Sequence, residues 1–517
     1  MSALESLRYF RPELTITIFI VLVALTDLFL RGTPERKRGI LMDVSMVGVV
    51  LSVIMVLLAG DTSPKLIFFG MTAVDGFAVF FKFLLAGAVL LVGIIAYRSN
   101  EVASEDVGEF YSFLLALLLG MYLLASAANL LMIYLALEFV SIASYILTGS
   151  KRRDRASSEA ALKYVIYGAF ASGIMLFGMS YLYGLFGSLD LATLQAAIPE
   201  RLAAVSGQDL FIMKAALGLS VILVFAGFGY KIAAVPFHMW CPDVYQGAPT
   251  PVTALLSVAP KAAGFAVLLR FLYGTLTSSQ GTLALTTDVP WPWILGAVSA
   301  ITMTVGNLTA IQQTNLKRLL AYSSIAHAGY LLMGVVTVSR EGMFAVLFYL
   351  VVYLFMNLGA FFVILSVRER TGSEDIDVYR GLGKREPFTA VLFGIFLFSL
   401  AGLPPLAGFI GKFYLFMAVL KAAGYWYYVL AVIAIVNSVV GLYYYARIIR
   451  AMFFDTGKDT SPMGLLAFHK VLMFILVVPT LVFGLFWQPL VRGVSSALSI
   501  EGVVQAEQTE EKMIVNR

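Results

Sequence analysis

FGYKIAAVPFHMW (228–240) and AGLPPLAGFIGKFYLF (401–416) decide the fold. Each sets a lysine, Lys231 or Lys412, in an apolar run of membrane-crossing length. Each also interrupts that run with proline, at Pro236 in one and at Pro404 and Pro405 in the other. Proline removes a backbone donor and clashes with the preceding turn, so both helices are expected to kink or break. Inside a bilayer such breaks are tolerated where freed carbonyls face protein or a wet cavity. A charge at mid-bilayer depth costs roughly 2.5–3.5 kcal/mol on insertion scales, and intramembrane ionisable groups therefore mark interior ion routes.

The rest of the chain is of the same kind. Its 517 residues are 60% hydrophobic and only 13% charged, against about 25% charged for a soluble domain, and the mean hydropathy is +0.89. Apolar runs near the length a spanning helix needs fall at about 14–30, 40–59, 76–97, 110–128, 130–149, 159–186, 210–239, 251–275, 291–311, 319–338, 343–367, 388–416, 424–450 and 467–488. Alternating barrel strands are absent. The fold class is an all-α membrane protein of about fourteen transmembrane helices, broken in the seventh and twelfth. The first run contains Asp27 and precedes the basic RGTPERKRG, so it reads as a retained span and not a signal peptide.

Loops after odd-numbered spans hold nineteen Lys and Arg residues; those after even-numbered spans hold six. The positive-inside rule makes the odd loops cytoplasmic and puts both termini on the outer, periplasmic side. The polar loop 366–387 is an interfacial candidate, and the tail 501–517 reads as loosely held. Paired broken helices five spans apart are a signature of repeated transporter halves. They divide the chain into 1–109 (three N-terminal spans), 110–275 and 276–455 (two five-helix repeats) and 456–517 (the last span and tail).

Besides Lys231 and Lys412, the ionisable groups that carry the argument within apolar spans are Glu138 in the fifth, Lys163 in the sixth and Lys261 in the eighth. A short loop separates the fifth and sixth spans, so Glu138 and Lys163 can pair across antiparallel helices; alternatively Lys163, near its span's start, snorkels to the headgroups. His238 flanks the proline break opposite Lys231, as a hydrogen-bonded packing residue or a proton carrier. His327, in NLKRLLAYSSIAHAGY (315–330), stands where it can bridge Lys261 and Lys412. Desolvation disfavours an ammonium and a nearby carboxylate favours it, so a buried lysine with a movable partner can exchange its proton. A row of such groups is a relay in which moving one charge shifts the next. Tyr443, Tyr444 and Tyr445 read most simply as an interfacial aromatic belt, and His469 is given no role.

One cysteine, Cys241, and three scattered histidines offer no metal cage or iron–sulfur site. There is no dinucleotide fingerprint or phosphate-cradling loop, and the small net charge of +5 gives no reason to expect nucleic acid.

The motifs PFHMWCPDVYQGAPTPV (236–252), NLKRLLAYSSIAHAGY (315–330), LPPLAGFIGKFYLF (403–416) and GLYYYARII (441–449) carry a resemblance across most of 110–455. The chain resembles the subunit N family of the proton-pumping NADH–quinone oxidoreductase (respiratory complex I), and its counterparts in photosynthetic relatives. Subunits L and M and the Mrp antiporter subunits are also similar. Subunit M usually has glutamate at the position of Lys412, and subunit L continues into a long lateral helix for which about 30 residues after the last span are too few.

The resemblance implies an antiporter-like fold with two inverted five-helix repeats. It implies that Glu138 is the coupling glutamate, Lys163 its partner, Lys231 the central lysine with His238 beside it, Lys261 the next relay lysine and Lys412 the terminal one. The chain is then a non-redox subunit of a translocating NADH (or ferredoxin)–quinone oxidoreductase, with no cofactor of its own. FMN, iron–sulfur clusters and quinone are implied in partner subunits. Its partners would be the antiporter-like subunit M, small membrane subunits, a peripheral redox arm and the lipid bilayer. Its location would be a bacterial-type inner (plasma) membrane or a thylakoid membrane. The alternative is an Mrp-type cation/proton antiporter subunit, driven by an ion gradient.

Overall fold

The computed structural model describes residues 3–59, 63–103, 105–277, 291–422, 424–457 and 461–498; the tail expected at 501–517 lies outside them. Fourteen spans follow in order. The first six are Arg11–Phe29, Pro34–Ala59, Gly76–Tyr97, Val107–Ser126, Leu130–Thr148 and Arg155–Phe186. The seventh is Gly207–Ile232, continued after a break by Trp240–Gly247. The eighth to eleventh are Thr250–Thr275, Trp291–Ile311, Leu316–Val336 and Arg340–Thr371. The twelfth is split into Pro387–Ala401 and Ala407–Lys421, and Tyr425–Phe453 and Ala467–Leu485 complete the set. Among the described residues thirteen helices are each long and apolar enough to cross a membrane. The fourteenth crossing is the split one, whose halves of 15 residues are each too short alone.

Both breaks are made by the same backbone device. Ile232 is followed by Ala233 in the left-handed region (φ 59°), and the Ala234 amide bonds back to the Gly229 carbonyl at 2.8 Å. Ala401 is followed by Gly402 at φ 88°, and the Leu403 amide bonds back to Phe398 at 3.1 Å. A bond from the second residue past a helix to a carbonyl five back is the Schellman termination, which satisfies the orphan carbonyls of the last turn. The indole Nε1 of Trp240 takes one more, the Tyr230 carbonyl, at 3.1 Å.

A second pair of features repeats across the chain. Asn129 opens the fifth span and bridges to Asp190 after the sixth; Asn315 opens the tenth and bridges to Asp375 after the eleventh. Each Asn side chain caps its own helix, accepting from the Leu131 and Arg318 amides respectively. Five spans separate the two, and an odd number of crossings reverses direction, so the second clasp lies on the opposite face from the first.

The core axis is the eighth span, in which every residue is buried, together with the tenth and eleventh. Outer spans present large side chains such as Phe170, Phe211 and Val439 to the surroundings. Small residues let backbones close up where spans cross: a Cβ on Gly306 would meet the Ala326 amide nitrogen at 2.6 Å. Elements with no counterpart in the hydropathy pattern include a hairpin (Lys65–Ile67 with Thr72–Val74), a helix at Leu191–Ala203 and a terminal helix at Gln488–Ser495.

Candidate functional site

Lys231 sits in the last turn before the seventh-span break, 1% exposed, and its Nζ donates to Ser141 Oγ at 3.2 Å. Ser141 lies three residues beyond Glu138 on the fifth span, so both point to the Lys231 side of that helix. Lys231 bonds to this serine and not to Glu138. The glutamate is half-buried, and its Oε1 has no hydrogen-bond partner. His238, across the break, is likewise half-buried with Nδ1 unpartnered.

Lys163 does not pair with Glu138. Its Nζ makes two 2.8 Å ion pairs, with Glu159 one turn back and with Asp243 after the break. Asp243 also takes Arg318 at 2.5 Å. The reason is axial: Lys163 is two turns into a sixth span that begins at Arg155, whereas Glu138 is midway along the fifth. The nearer carboxylates at the helix end win.

The second cluster is drier. Lys261 Nζ donates to Ser324 Oγ at 2.6 Å and lies over the Tyr245 ring, 5.8 Å from its centroid. One turn along the tenth span, His327 has Nδ1 at 2.7 Å from Tyr349 Oη and Nε2 at 3.2 Å from Tyr445 Oη. Tyr445 Oη is also 2.5 Å from Ser323 Oγ. One further turn on, the Tyr330 ring lies beneath Lys412 Nζ at 4.8 Å. Lys412 donates to the Ala401 carbonyl, freed by the twelfth-span break, at 2.8 Å and to Ser438 Oγ at 3.1 Å. Ser324, His327 and Tyr330, spaced by three, thus form one stripe between the two lysines. The stem of Lys231 packs near Gly264, one turn from Lys261 on the eighth span.

The tyrosine run is not a belt. Tyr443 is exposed, but Tyr444 and Tyr445 are each 1% exposed and bond into the interior, Tyr444 to Asn307 at 3.0 Å. A helix rotates about 100° per residue, so three consecutive tyrosines cannot share one face. Only the first faces outward.

Several polar groups escaped the sequence reading because they lie near span ends or in the N-terminal helices. Arg270 pairs bidentately with Asp75 at 2.8 and 2.9 Å, both side chains buried. Lys82 pairs with Glu13 at 2.6 Å in an equally dry setting. Where loops after odd-numbered spans meet, Glu101 takes Lys151 at 2.8 Å and also Arg368, while Glu374 takes Arg368 at 3.0 Å and Lys317 at 3.3 Å. Burial pushes the Glu101 carboxyl up, but Lys317, Lys151 and Arg368 together outweigh it and hold the group well below the usual carboxylate range. No group of three or more His, Cys, Asp or Glu that could hold a metal ion occurs among the described residues.

Comparison with known proteins gives a concordant result. Residues 127–438 match the family described as NADH:quinone oxidoreductase/Mrp antiporter, TM. A curated relative, NADH-quinone oxidoreductase subunit N of Anaeromyxobacter sp. (strain Fw109-5), is 48% identical over 96% of this chain and 97% of its own length. Among solved structures, a chain of respiratory complex I from Thermus thermophilus superposes with a TM-score of 0.76 at 32% identity, covering 94% of this chain and 99% of that one. A chain of the Mrp complex from Dietzia sp. DQ12-45-1b shares the fold, with a TM-score of 0.80 at 21% identity over 98% of this chain and 99% of that one.

Proposed function

The chain belongs to the NADH-quinone oxidoreductase subunit N family, and from that premise we propose how its buried polar groups carry protons. It is a multi-pass, proton-translocating subunit of the complex I membrane arm, working within a multi-subunit assembly. The relay runs from Glu138 and Lys231, with Lys163 and His238 at its flank, through Lys261 and His327 to Lys412. Each amine holds or releases a proton according to the charge on its neighbours, so a charge change at one end travels by successive transfers.

The observation that carries this reading is the tenth-span stripe. Between Lys261 and Lys412 stand Ser324, which takes Lys261 at 2.6 Å, His327, which meets Tyr349 at 2.7 Å and Tyr445 at 3.2 Å, and Tyr330, whose ring lies 4.8 Å from the Lys412 amine, each one helical turn from the next in the buried interior. Imidazole and hydroxyl groups can each accept a proton at one atom and release one at another. The breaks add carbonyl ends at membrane depth, such as that of Ala401, which hold an ammonium without fixing a counter-charge beside it.

The electrons belong elsewhere in this proposal. FMN, iron–sulfur clusters and quinone sit in partner subunits, a reading supported by the single buried cysteine of this chain. The excess of cations in odd-numbered loops supports a cytoplasmic position for that face and outer positions for both termini. The two five-helix units are then 110–275 and 276–455, related by inversion. The curated relatives bearing the subunit N name favour this reading over the Mrp-type alternative, whose structural likeness extends to the fold alone.

The test is pumping by the purified complex in proteoliposomes. Glu138→Ala and Lys231→Ala should each depress NADH-driven turnover and proton uptake while the complex still assembles. A wild-type proton-to-electron ratio at wild-type turnover in both variants would overturn the relay.

A further inference from the structure

One seam of the molecule is apolar along its length and takes no part in the relay. Gly76, Phe80, Phe83, Gly87 and Leu91 of the third span stand at i, i+4, i+7, i+11 and i+15, on one face of the helix. That face lines a groove of about 530 Å³, whose other wall includes Val351, Leu354 and Phe355 of the eleventh span and Gly493 and Ser496 of the terminal helix. Leu354 at the floor is 2% exposed and Phe83 at the rim 37%, so the groove opens sideways, toward the surroundings of the bundle. A Cβ on Gly87 or on Gly493 would meet no atom within 4 Å. Neither glycine therefore serves close helix packing of the kind small residues allow elsewhere; each leaves its stretch of wall open.

The dimensions select the occupant. The third and eleventh spans both start at the end of the bundle that carries the even-numbered loops, and the terminal helix follows the fourteenth span at that same end. Leu91 lies 15 residues beyond Gly76, and Phe355 lies 15 beyond Arg340. At 1.5 Å of rise per residue both walls reach ~22 Å inward. Half a bilayer, headgroups included, is roughly 20–22 Å thick. The groove is one leaflet deep. Spread over that length, its volume gives a mean section of about 24 Å². A helix 10–12 Å across needs about 80–110 Å², so a partner's transmembrane helix does not fit. A single file of methylenes, touching its walls at about 3.5–4.0 Å between carbons, does.

The mouth has a charge to match. Arg492 stands one residue before Gly493, exposed, and no acid pairs with it among the described residues. Asp75, one residue before Gly76, is buried and already held by Arg270. A guanidinium presents parallel N–H donors to a phosphate. Zwitterionic headgroups carry a cation of their own, so an unpaired arginine favours the anionic class. We propose that this groove binds one acyl chain of an anionic bilayer phospholipid, with Arg492 on the phosphate. The chain fills the seam between the third and eleventh spans and ties the N-terminal spans to the core.

The experiment uses the whole complex in vesicles of phosphatidylethanolamine doped with a phosphatidylglycerol that bears a diazirine on one acyl chain. Labelled peptides are mapped by mass spectrometry after illumination. The site requires labelling of 80–91 and 351–355 at least fivefold above the mean around Phe170, Phe211 and Val439, which face outward on other spans. Gly87→Leu fills the groove and should abolish the excess in a complex that still assembles and turns over. Gly493→Leu closes the groove from the terminal helix and gives the same reading if Gly87→Leu fails to assemble. Unlabelled phosphatidylglycerol should displace the label better than phosphatidylcholine in wild type, and no better in Arg492→Gln. Equal labelling at the groove and at the outward residues would make the seam ordinary lipid-facing surface and overturns the proposal. No labelling at the groove, with normal labelling elsewhere, means that a neighbouring protein covers it, and overturns the proposal too. A preference for phosphatidylglycerol that survives Arg492→Gln overturns the headgroup assignment.

Discussion

Tyr445→Phe separates an interior role from a surface one with the loss of a single oxygen. Tyr445 Oη is shared by Ser323 Oγ at 2.5 Å and His327 Nε2 at 3.2 Å, inside a fully buried pocket. Phenylalanine keeps the ring and its packing, so only these two bonds are lost. A buried hydrogen bond contributes about 0.5–1.5 kcal/mol net, which gives about 1–3 kcal/mol for the pair. If that cost falls on the step that moves a proton through His327, it slows transfer about 5- to 150-fold at 1.36 kcal/mol per decade. His327 keeps its 2.7 Å bond to Tyr349, so the ring stays in place and loses one of two outlets. The assay is initial proton uptake per NADH oxidised by the reconstituted complex, with the exposed Tyr443→Phe as comparison. Turnover and uptake within twofold of wild type in Tyr445→Phe would refute the argument, since a belt tyrosine would behave that way.

Other outcomes follow from the same geometry. Gly402→Ala places a Cβ 2.8 Å from Lys412 Cδ at a residue with φ 88°; the left-handed backbone alone should cost about 1–2 kcal/mol, seen as faster thermal inactivation, and displaced Lys412 should lower turnover further. Arg270→Ala strands the buried Asp75 carboxylate and should destabilise the subunit by about 3–5 kcal/mol, measured as loss of assembled complex. For Glu101 the folded carboxyl is held below its ordinary value of 4.5, so its stabilising effect is complete above that pH and is lost as pH falls through the lower folded value. Inactivation rates of wild type and Glu101→Gln should therefore differ most near neutrality and draw together under strong acid; a gap that widens on acidification would contradict the sign.

Hydropathy alone made the spans legible, because crossing the hydrocarbon imposes a length and a composition on every helix. The breaks were equally plain, since proline in an apolar run has few other meanings. Lys231, Lys261, His327 and Lys412 stood out because a lone charge among aliphatic residues is conspicuous. What stayed hidden was pairing. Lys163 found Asp243 and not Glu138 because partner choice depends on where two helices begin relative to one another, and apolar runs locate ends only within several residues. Tyr445 was misread because three tyrosines in a row suggest a surface, although helical rotation had to turn at least one inward. Arg270 and Lys82 escaped for the opposite reason: charges near the ends of apolar runs look solvated until the packing covers them.

The two interruptions share one closing bond pattern, yet differ in the residue that must turn the backbone. Gly402 adopts its left-handed angle without penalty, while Ala233 at φ 59° carries a Cβ that opposes it, a load of about 1–2 kcal/mol. The pair is therefore mechanically unequal. The joint beside Lys231 is a loaded spring and the joint beside Lys412 is a relaxed one. Replacing Ala233 with glycine would lift that load, whereas the joint at Gly402 has none to shed.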